Sequence, residues 1–232
     1  MKVGIMQPYF VPYIGYWQLM NLVDKYVIYD DVNFIKGGWV NRNRIVNNGK
    51  IQFFNVPMVG ASPNKLINEV QVNTNPNIQK KNLRIIEAAY RKAPYYSDVY
   101  PVLEKIICSS EETLASYLIS SIYSIADYLN IKTEFIVSSS IEKNNELRGQ
   151  DKVLEICEKT GSTEYYNAIG GMELYSKNDF SDRGIVLKFV RTKPTEYKQF
   201  SDEYYPNLSI IDVMMFNDIP RIREMLESYS IE

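Results

Sequence analysis

The chain has 232 residues, with 26 Lys and Arg against 28 Asp and Glu, a formal net charge of −2 and no histidine. That charge gives no general pull toward a polyanion, and the missing imidazole removes Ser-His and Cys-His nucleophile pairs and the usual histidine-rich metal sites, so acid–base work falls to Asp, Glu, Lys or Tyr. Cys108 and Cys157 are too few for a disulfide scaffold or a thiolate zinc site, and no apolar run approaches the roughly 20 residues of a membrane helix.

With no signal-peptide core at the N-terminus, a cytoplasmic location is expected. From that end, the apolar run Lys2–Met6 predicts a strand that breaks at Gln7-Pro8. The loop through Pro12-Tyr13-Ile14-Gly15-Tyr16 leads into a helical pattern at Trp17, Leu19, Met20 and Val23. A second strand, Tyr26–Tyr29, ends in Asp30-Asp31, completing a β-loop-α-β unit that opens on one edge of a parallel sheet. Trp39–Val46 and Lys50–Val56, separated by Asn47-Asn48-Gly49, predict a β-hairpin.

Residues 60–77 are rich in Ser, Pro and Asn and read as a surface excursion with one short strand at Glu69–Val72. Apolar spacing predicts helices over 78–90, 100–108 and 112–129, a helical segment of about 78–130. Then come a strand at Thr133–Val137, a polar loop from Ser138 to Gly149 and a helix from Gln150 to Lys159 stopped by Gly161. A strand at Glu164–Asn167, a Gly170-Gly171 turn, a short helix around Glu173–Tyr175 and a strand at Ile185–Val190 follow. Ser209 or Asn207 caps a helix over Ile210–Phe216, and a last helix, Ile219–Tyr229, packs outside. The alternation predicts one α/β domain over 1–232: a mainly parallel Rossmann-like sheet flanked by helices, with a β-hairpin and a helical segment inserted.

Gln7, Tyr9, Tyr13 and Tyr16 are candidate ligand-binding residues, because ligands of open α/β sheets sit outside the carboxyl ends of the strands; Gly15 allows close backbone approach there. Asp30 and Asp31 could orient an amine, act as a base or meet a cation. A single acidic pair falls short of a metal shell, so no metal or other cofactor is expected, and Asp30 is the better base candidate. Lys36 joins them as a catalytic candidate. Lys36, Trp39, Asn41, Arg42, Asn43 and Arg44 fall within nine positions and suit a phosphate or carboxylate beside a ring. On a strand, Asn41 and Asn43 share one face and Arg42 and Arg44 the other; either arginine could reach the anion.

Asn167, Gly170 and Gly171 could cradle a phosphate or sugar through backbone N–H groups. Lys193, Glu196 and Tyr197 follow the last predicted strand and could close over the site, with Asn207, Ser209 and Asp212 at the next helix start. Asp212 interrupts an apolar run and needs a partner if buried; pairing with an arginine competes with a catalytic role.

The stretches MQPYFVPYIGYWQL, VIYDDVNFIKGGWVNRNRI, KAPYYSDVYP, YYNAIGGMELY and EYKQF followed by PNLSIIDVMMFN resemble the WbqC-like family, in the same order and over essentially the whole chain. That family is associated with bacterial surface polysaccharide clusters, and some members are described as glycyl or aminoacyl transferases acting on amino sugars. The resemblance implies an acyl or aminoacyl transferase in surface polysaccharide (O-antigen) synthesis. Its partners would be a nucleotide-linked amino sugar and an acyl or aminoacyl donor: an adenylate, a carrier thioester or an aminoacyl-tRNA. The tRNA, the one nucleic acid entertained, is least supported by net charge. A non-catalytic nucleotide-sugar binding module and a metal-dependent glycosyltransferase are the alternatives. The first strand, loop and helix are also similar, more weakly, to nucleotidyltransferase and class I aminoacyl-tRNA synthetase domains, with Tyr13 and Tyr16 where histidines would stand.

Overall fold

The computed structural model describes residues 1–232. In chain order its elements are β1 (Lys2–Met6), α1 (Ile14–Leu22), β2 (Lys25–Ile28), β3 (Arg42–Asn47), β4 (Lys50–Asn55), β5 (Met58–Val59) and β6 (Gln71–Val72). Three helices follow, α2 (Pro76–Tyr90), α3 (Tyr96–Ile107) and α4 (Leu114–Tyr128), then β7 (Glu134–Val137), α5 (Gly149–Lys159) and β8 (Glu164–Ala168). The chain ends with α6 (Lys177–Ser181), β9 (Val186–Thr192), α7 (Ile210–Phe216), α8 (Ile219–Leu226) and β10 (Tyr229–Ile231).

One sheet has the order β10-β9-β8-β1-β2-β7 and is parallel except for β10, which runs antiparallel to β9. Counted along the chain, its parallel strands have the doubly wound order 3-2-1-4-5, and the winding reverses between β1 and β8. The carboxyl ends of those two strands therefore open where a crevice forms. The central strand is apolar on both faces. On one face, Val3 and Ile5 join Val153, Ile156 and Cys157 of α5 and Phe180 of α6 in a compact cluster. On the other, a larger core takes in α1, α4, α7 and α8 and extends into the inserted segment. Gly4 lets α1 lie close on β1, because a Cβ there would stand 3.2 Å from the Tyr26 ring and 3.5 Å from Leu19.

The mainly parallel sheet flanked by helices, with a hairpin and helices inserted, matches the sequence expectation. The hairpin is β3–β4, turning through Asn48 and Gly49, both at positive φ (51° and 69°). Several boundaries differ. The first helix begins at Ile14, ahead of its apolar stripe. The Gly170-Gly171 segment is a 3-10 turn over Ile169–Leu174, and the short α-helix comes later, capped by Ser176. The last helix stops at Leu226, and Tyr229–Ile231 forms an edge strand that no three-residue periodicity could announce. Of the strand expected at Glu69–Val72 only β6 forms, paired with the two-residue β5 that precedes the surface excursion, while Ile67–Glu69 is a 3-10 turn.

Candidate functional site

The loop after β1 is fixed by residues far away in sequence. Val11 adopts φ 40°, a costly conformation for a β-branched residue, and three elements hold it there. The Phe10 N–H donates to the Val40 carbonyl at 3.0 Å, and Asn43 Nδ2 donates to the Phe10 carbonyl at 3.1 Å. Ser209 Oγ donates to the Val11 carbonyl at 2.7 Å and accepts from Ile211 N–H as the cap of α7. The N–H groups of Ile210 and Ser209 donate to the carbonyls of Pro12 and Arg44, both at 3.0 Å. First loop, hairpin and α7 start are thus stitched together.

Between them lies a cleft of about 320 Å³ lined by Tyr9, Pro12, Tyr13, Trp39, Asn43, Arg44 and Asn207. Arg44 is the arginine that reaches it. Its Nε and Nη2 donate to the carbonyls of Asn207 (3.2 Å) and Pro206 (3.3 Å), and its guanidinium lies 5.9 Å over the Trp39 ring. Arg42 instead sits 4.7 Å over Phe53 and donates to the carbonyls of Gly37 and Gly38. Asn41 lines no part of the cleft; its carbonyl accepts from Val56. Trp39 stacks on Phe53 and is 43% exposed at the rim.

Two residues in the first turn of α1 have internal roles. Tyr16 is buried, donates its hydroxyl to the Gln7 carbonyl at 2.8 Å and packs 5.4 Å from Tyr9; burial pushes its phenol well above the ordinary range. Gly15 is a glycine because a Cβ would collide with Thr192 Oγ1 and lie 2.6 Å from the Tyr13 ring, so it seats Tyr13 against β9. The Gln7 Oε1 is buried without a hydrogen-bond partner.

Asp30 and Asp31 leave the end of β2 buried and differently engaged. The Ser139 N–H (2.9 Å) and hydroxyl (2.7 Å) donate to the two oxygens of Asp30. Asp31 Oδ2 pairs with Lys143 Nζ at 2.9 Å and Lys152 Nζ at 3.0 Å, whose side chains are only 1% and 5% exposed. Burial by itself would raise the Asp31 carboxyl, but the Ser138 hydroxyl, Lys143 and Lys152 outweigh it and hold the group below its ordinary value. Asp31 Oδ1 and Ser138 Oγ have no hydrogen bond of normal geometry. A polar pocket of about 270 Å³ adjoins this cluster, lined by Asp31, Leu66, Asn68, Ser139, Asn145, Arg148 and Lys152.

Lys143, Lys152, Ser139 and Arg148 were not among the residues singled out in sequence. Lys152 carried a readable signal, since it lies four residues before Ile156 and so on the buried stripe of α5. Lys143 lay in a polar loop and carried none. Lys36 is exposed and forms no ion pair.

The remaining candidates fall elsewhere. Asn167 is spent on the Tyr165 hydroxyl (2.8 Å) and the Ala168 N–H (2.7 Å), and a Cβ at Gly171 would stand 3.2 Å from its amide; Gly170 faces open space. Lys193 and Tyr197 share with Asn207 a crevice of about 260 Å³ next to the cleft, while Glu196 is exposed. Asp212 is buried without an arginine: Tyr90 donates to Oδ2 at 2.9 Å, and Tyr197 (2.7 Å) and Gln199 (2.8 Å) donate to Oδ1. Burial raises its carboxyl above the ordinary value, against those three hydrogen bonds. Burial pushes the Cys157 thiol up to about 12 and also raises Cys108, so neither supplies a thiolate at neutral pH.

No helix is long and apolar enough to cross a membrane. A Mycobacterium tuberculosis (strain ATCC 25618 / H37Rv) protein, Uncharacterized protein Rv1507c, is 28% identical over 219 residues, 93% of each chain. No solved structure gives a significant match. A sequence model of the WbqC-like protein family matches residues 7–224, from the loop after β1 to α8, and so includes every wall of the cleft and of the polar pocket. The chain belongs to the WbqC-like protein family.

Proposed function

We propose that the protein transfers an acyl or aminoacyl group to a nucleotide-linked amino sugar in surface polysaccharide synthesis, and that it does so in the cytoplasm. The observation that carries this reading is the convergence of Tyr9 and Tyr13, Trp39 and Arg44, and Asn207, from three distant stretches, on one cleft at the carboxyl edge of the sheet. Arg44 offers a guanidinium to a phosphate and Trp39 its exposed indole to a ring, while Asn43 and the tyrosines suit sugar hydroxyls. In the transfer, the amine nitrogen attacks the donor's acyl carbon, a C–N bond forms, the bond from that carbon to the donor's leaving oxygen or sulfur breaks, and the proton the nitrogen then sheds goes to the leaving group or to water. The amine must first lose the proton of its ammonium form. Asp30 is the proposed acceptor, because each of its oxygens takes only one hydrogen bond, from Ser139; it is buried and lines neither cavity, so the proton has to be relayed to it from the cleft. Asp31, held as a carboxylate by two lysines, is too weak a base and suits a fixed electrostatic role. Orientation and preorganised charge would supply most of the acceleration.

The engagement of Asp31 by Lys143 and Lys152 weighs against a glycosyltransferase that binds a divalent cation on the acidic pair, since the cation would have to displace two buried ammonium groups. A non-catalytic nucleotide-sugar module remains the second reading, favoured by the burial of Tyr16, which stands where the nucleotidyltransferase motif that the first loop resembles has a histidine. The test is acceptor-dependent release of a labelled acyl donor, paired with nucleotide-sugar binding to wild type and Arg44→Gln. Release that is lost in Asp30→Asn supports transfer. Binding without release supports the module, and binding unaffected by Arg44→Gln removes the cleft as the site.

A further inference from the structure

The polar pocket beside Asp31 has an excess of donors and of positive charge. Lys143 exhausts its ammonium on Asp31 and on the carbonyls of Ser138 and Ile141. Lys152 is different. It donates to Asp31 Oδ2 (3.0 Å) and to the Asp31 carbonyl (2.9 Å) and lies 5.3 Å over the Tyr29 ring, so one N–H of this pocket-lining side chain, 5% exposed, has no oxygen partner. Arg148 spends only Nη1, on the carbonyls of Asn145 and Leu147, so its Nε and Nη2 are uncommitted. The side-chain amides of Asn68 and Asn145, also on the wall, donate to no protein group. Of the charged groups that line the pocket, Lys152 and Arg148 are cations and Asp31 is the one carboxylate.

The backbone adds to this. The 11-residue helix α5 starts at the pocket with no side-chain cap, and its first residue, Gly149, has nothing within 4 Å of where a Cβ would be. Its first-turn N–H groups and the positive end of its dipole are open to an anion. Asp151, in the same turn, is exposed and lines no part of the pocket. An oxyanion that accepts from Lys152 and from the exposed Arg148 would gain charge-assisted hydrogen bonds from both.

We propose that this pocket is an oxyanion subsite, separate from the Arg44 cleft, which takes the carboxylate or phosphate of a second small ligand. Its assignment to the acyl donor rests on the transferase reading; the binding of an oxyanion does not. Asp31 Oδ1, buried and without a normal hydrogen bond, gives the ligand's own N–H or O–H group a potential acceptor beside the anion.

The test is a titration of the full chain with inorganic phosphate and, separately, acetate, at constant ionic strength, followed by backbone amide NMR shifts. The expected result is saturable shifts at Ser139 and Gly149 that are weakened about ten-fold or more by Arg148→Gln and unchanged by Arg44→Gln. Tighter phosphate binding identifies a phosphate ligand, and tighter acetate binding a carboxylate. Absence of saturation with both anions, or shifts confined to Arg44 and Asn207, overturns the proposal. Wild-type affinity in both Arg148→Gln and Asn68→Ala overturns it as well. Failure of nucleotide-sugar binding at Arg44 is scored on different amides and leaves the subsite standing.

Discussion

Asp31→Ala is the most informative single change, because it removes the shared partner of two buried ammonium groups. Lys143 and Lys152 are 1% and 5% exposed and meet the same Asp31 oxygen at 2.9 and 3.0 Å. Lys143 would retain only backbone carbonyls, and Lys152 the carbonyl of residue 31 and the face of the Tyr29 ring. Breaking a buried pair from one side costs about 3–5 kcal/mol. With a urea m-value of about 2–3 kcal/mol/M, the unfolding midpoint should fall by roughly 1–2 M at neutral pH. The pH dependence has a definite sign. The folded carboxyl titrates below its ordinary value of 3.8, so its contribution is present above that value and is lost as pH falls through the lower, folded one. Wild type and variant should therefore diverge at pH 7 and converge in acid. Adding Lys152→Met to Asp31→Ala should recover part of the loss, since one stranded charge is gone. A midpoint change equivalent to less than about 1 kcal/mol, as exposed pairs give, would show that the ammonium groups do not depend on Asp31.

Gly15→Ala should cost about 1–3 kcal/mol, at the upper end because both the Tyr13 ring and Thr192 are in the way, and a thermal melt close to wild type would refute the packing role. Ser209→Ala removes both the cap of α7 and the bond to the strained Val11 carbonyl; a loss of about 1–2 kcal/mol is expected in denaturant unfolding, with weaker nucleotide-sugar binding as the loop relaxes. Asp212 titrates above its ordinary value of 3.8, so the native state holds its proton longer than the unfolded chain and stability falls as pH rises across that interval. Asp212→Asn should abolish that component; the same pH slope in wild type and variant would contradict it.

The sheet was legible because β1 and β2 are short apolar runs ended by breakers, and the hairpin because Asn48 and Gly49 satisfy a turn that needs positive φ at both positions. The residues that gather in the cleft were legible as types: Arg44 and Trp39 as an anion-and-ring pair, Tyr9 and Tyr13 as an aromatic loop. Their meeting with Asn207 was not, because the bond from Arg44 to its carbonyl spans 163 positions and no periodicity encodes it. Asp31 was legible as an acidic strand end, but its environment depends on Lys143, which lies in a polar loop with no pattern. Gly15 shows the opposite limit. Its need for a missing Cβ was readable, whereas what fills the space, the Tyr13 ring and Thr192 rather than a ligand, depends on β9 arriving beside α1.

The place of β1 in the sheet also sets an order of assembly during synthesis. Its two neighbours are β2, which follows within about 20 residues, and β8, which begins at Glu164. At about 5–20 residues per second, one edge of this apolar strand waits roughly 8–30 s for its partner. Over that interval the emerging chain presents an open edge flanked by Val3 and Ile5, the kind of surface that pairs wrongly with other chains. The cleft waits longer still, until α7 reaches back to Val11 and Pro12, so a chain still being made has no completed cleft with which to hold a ligand.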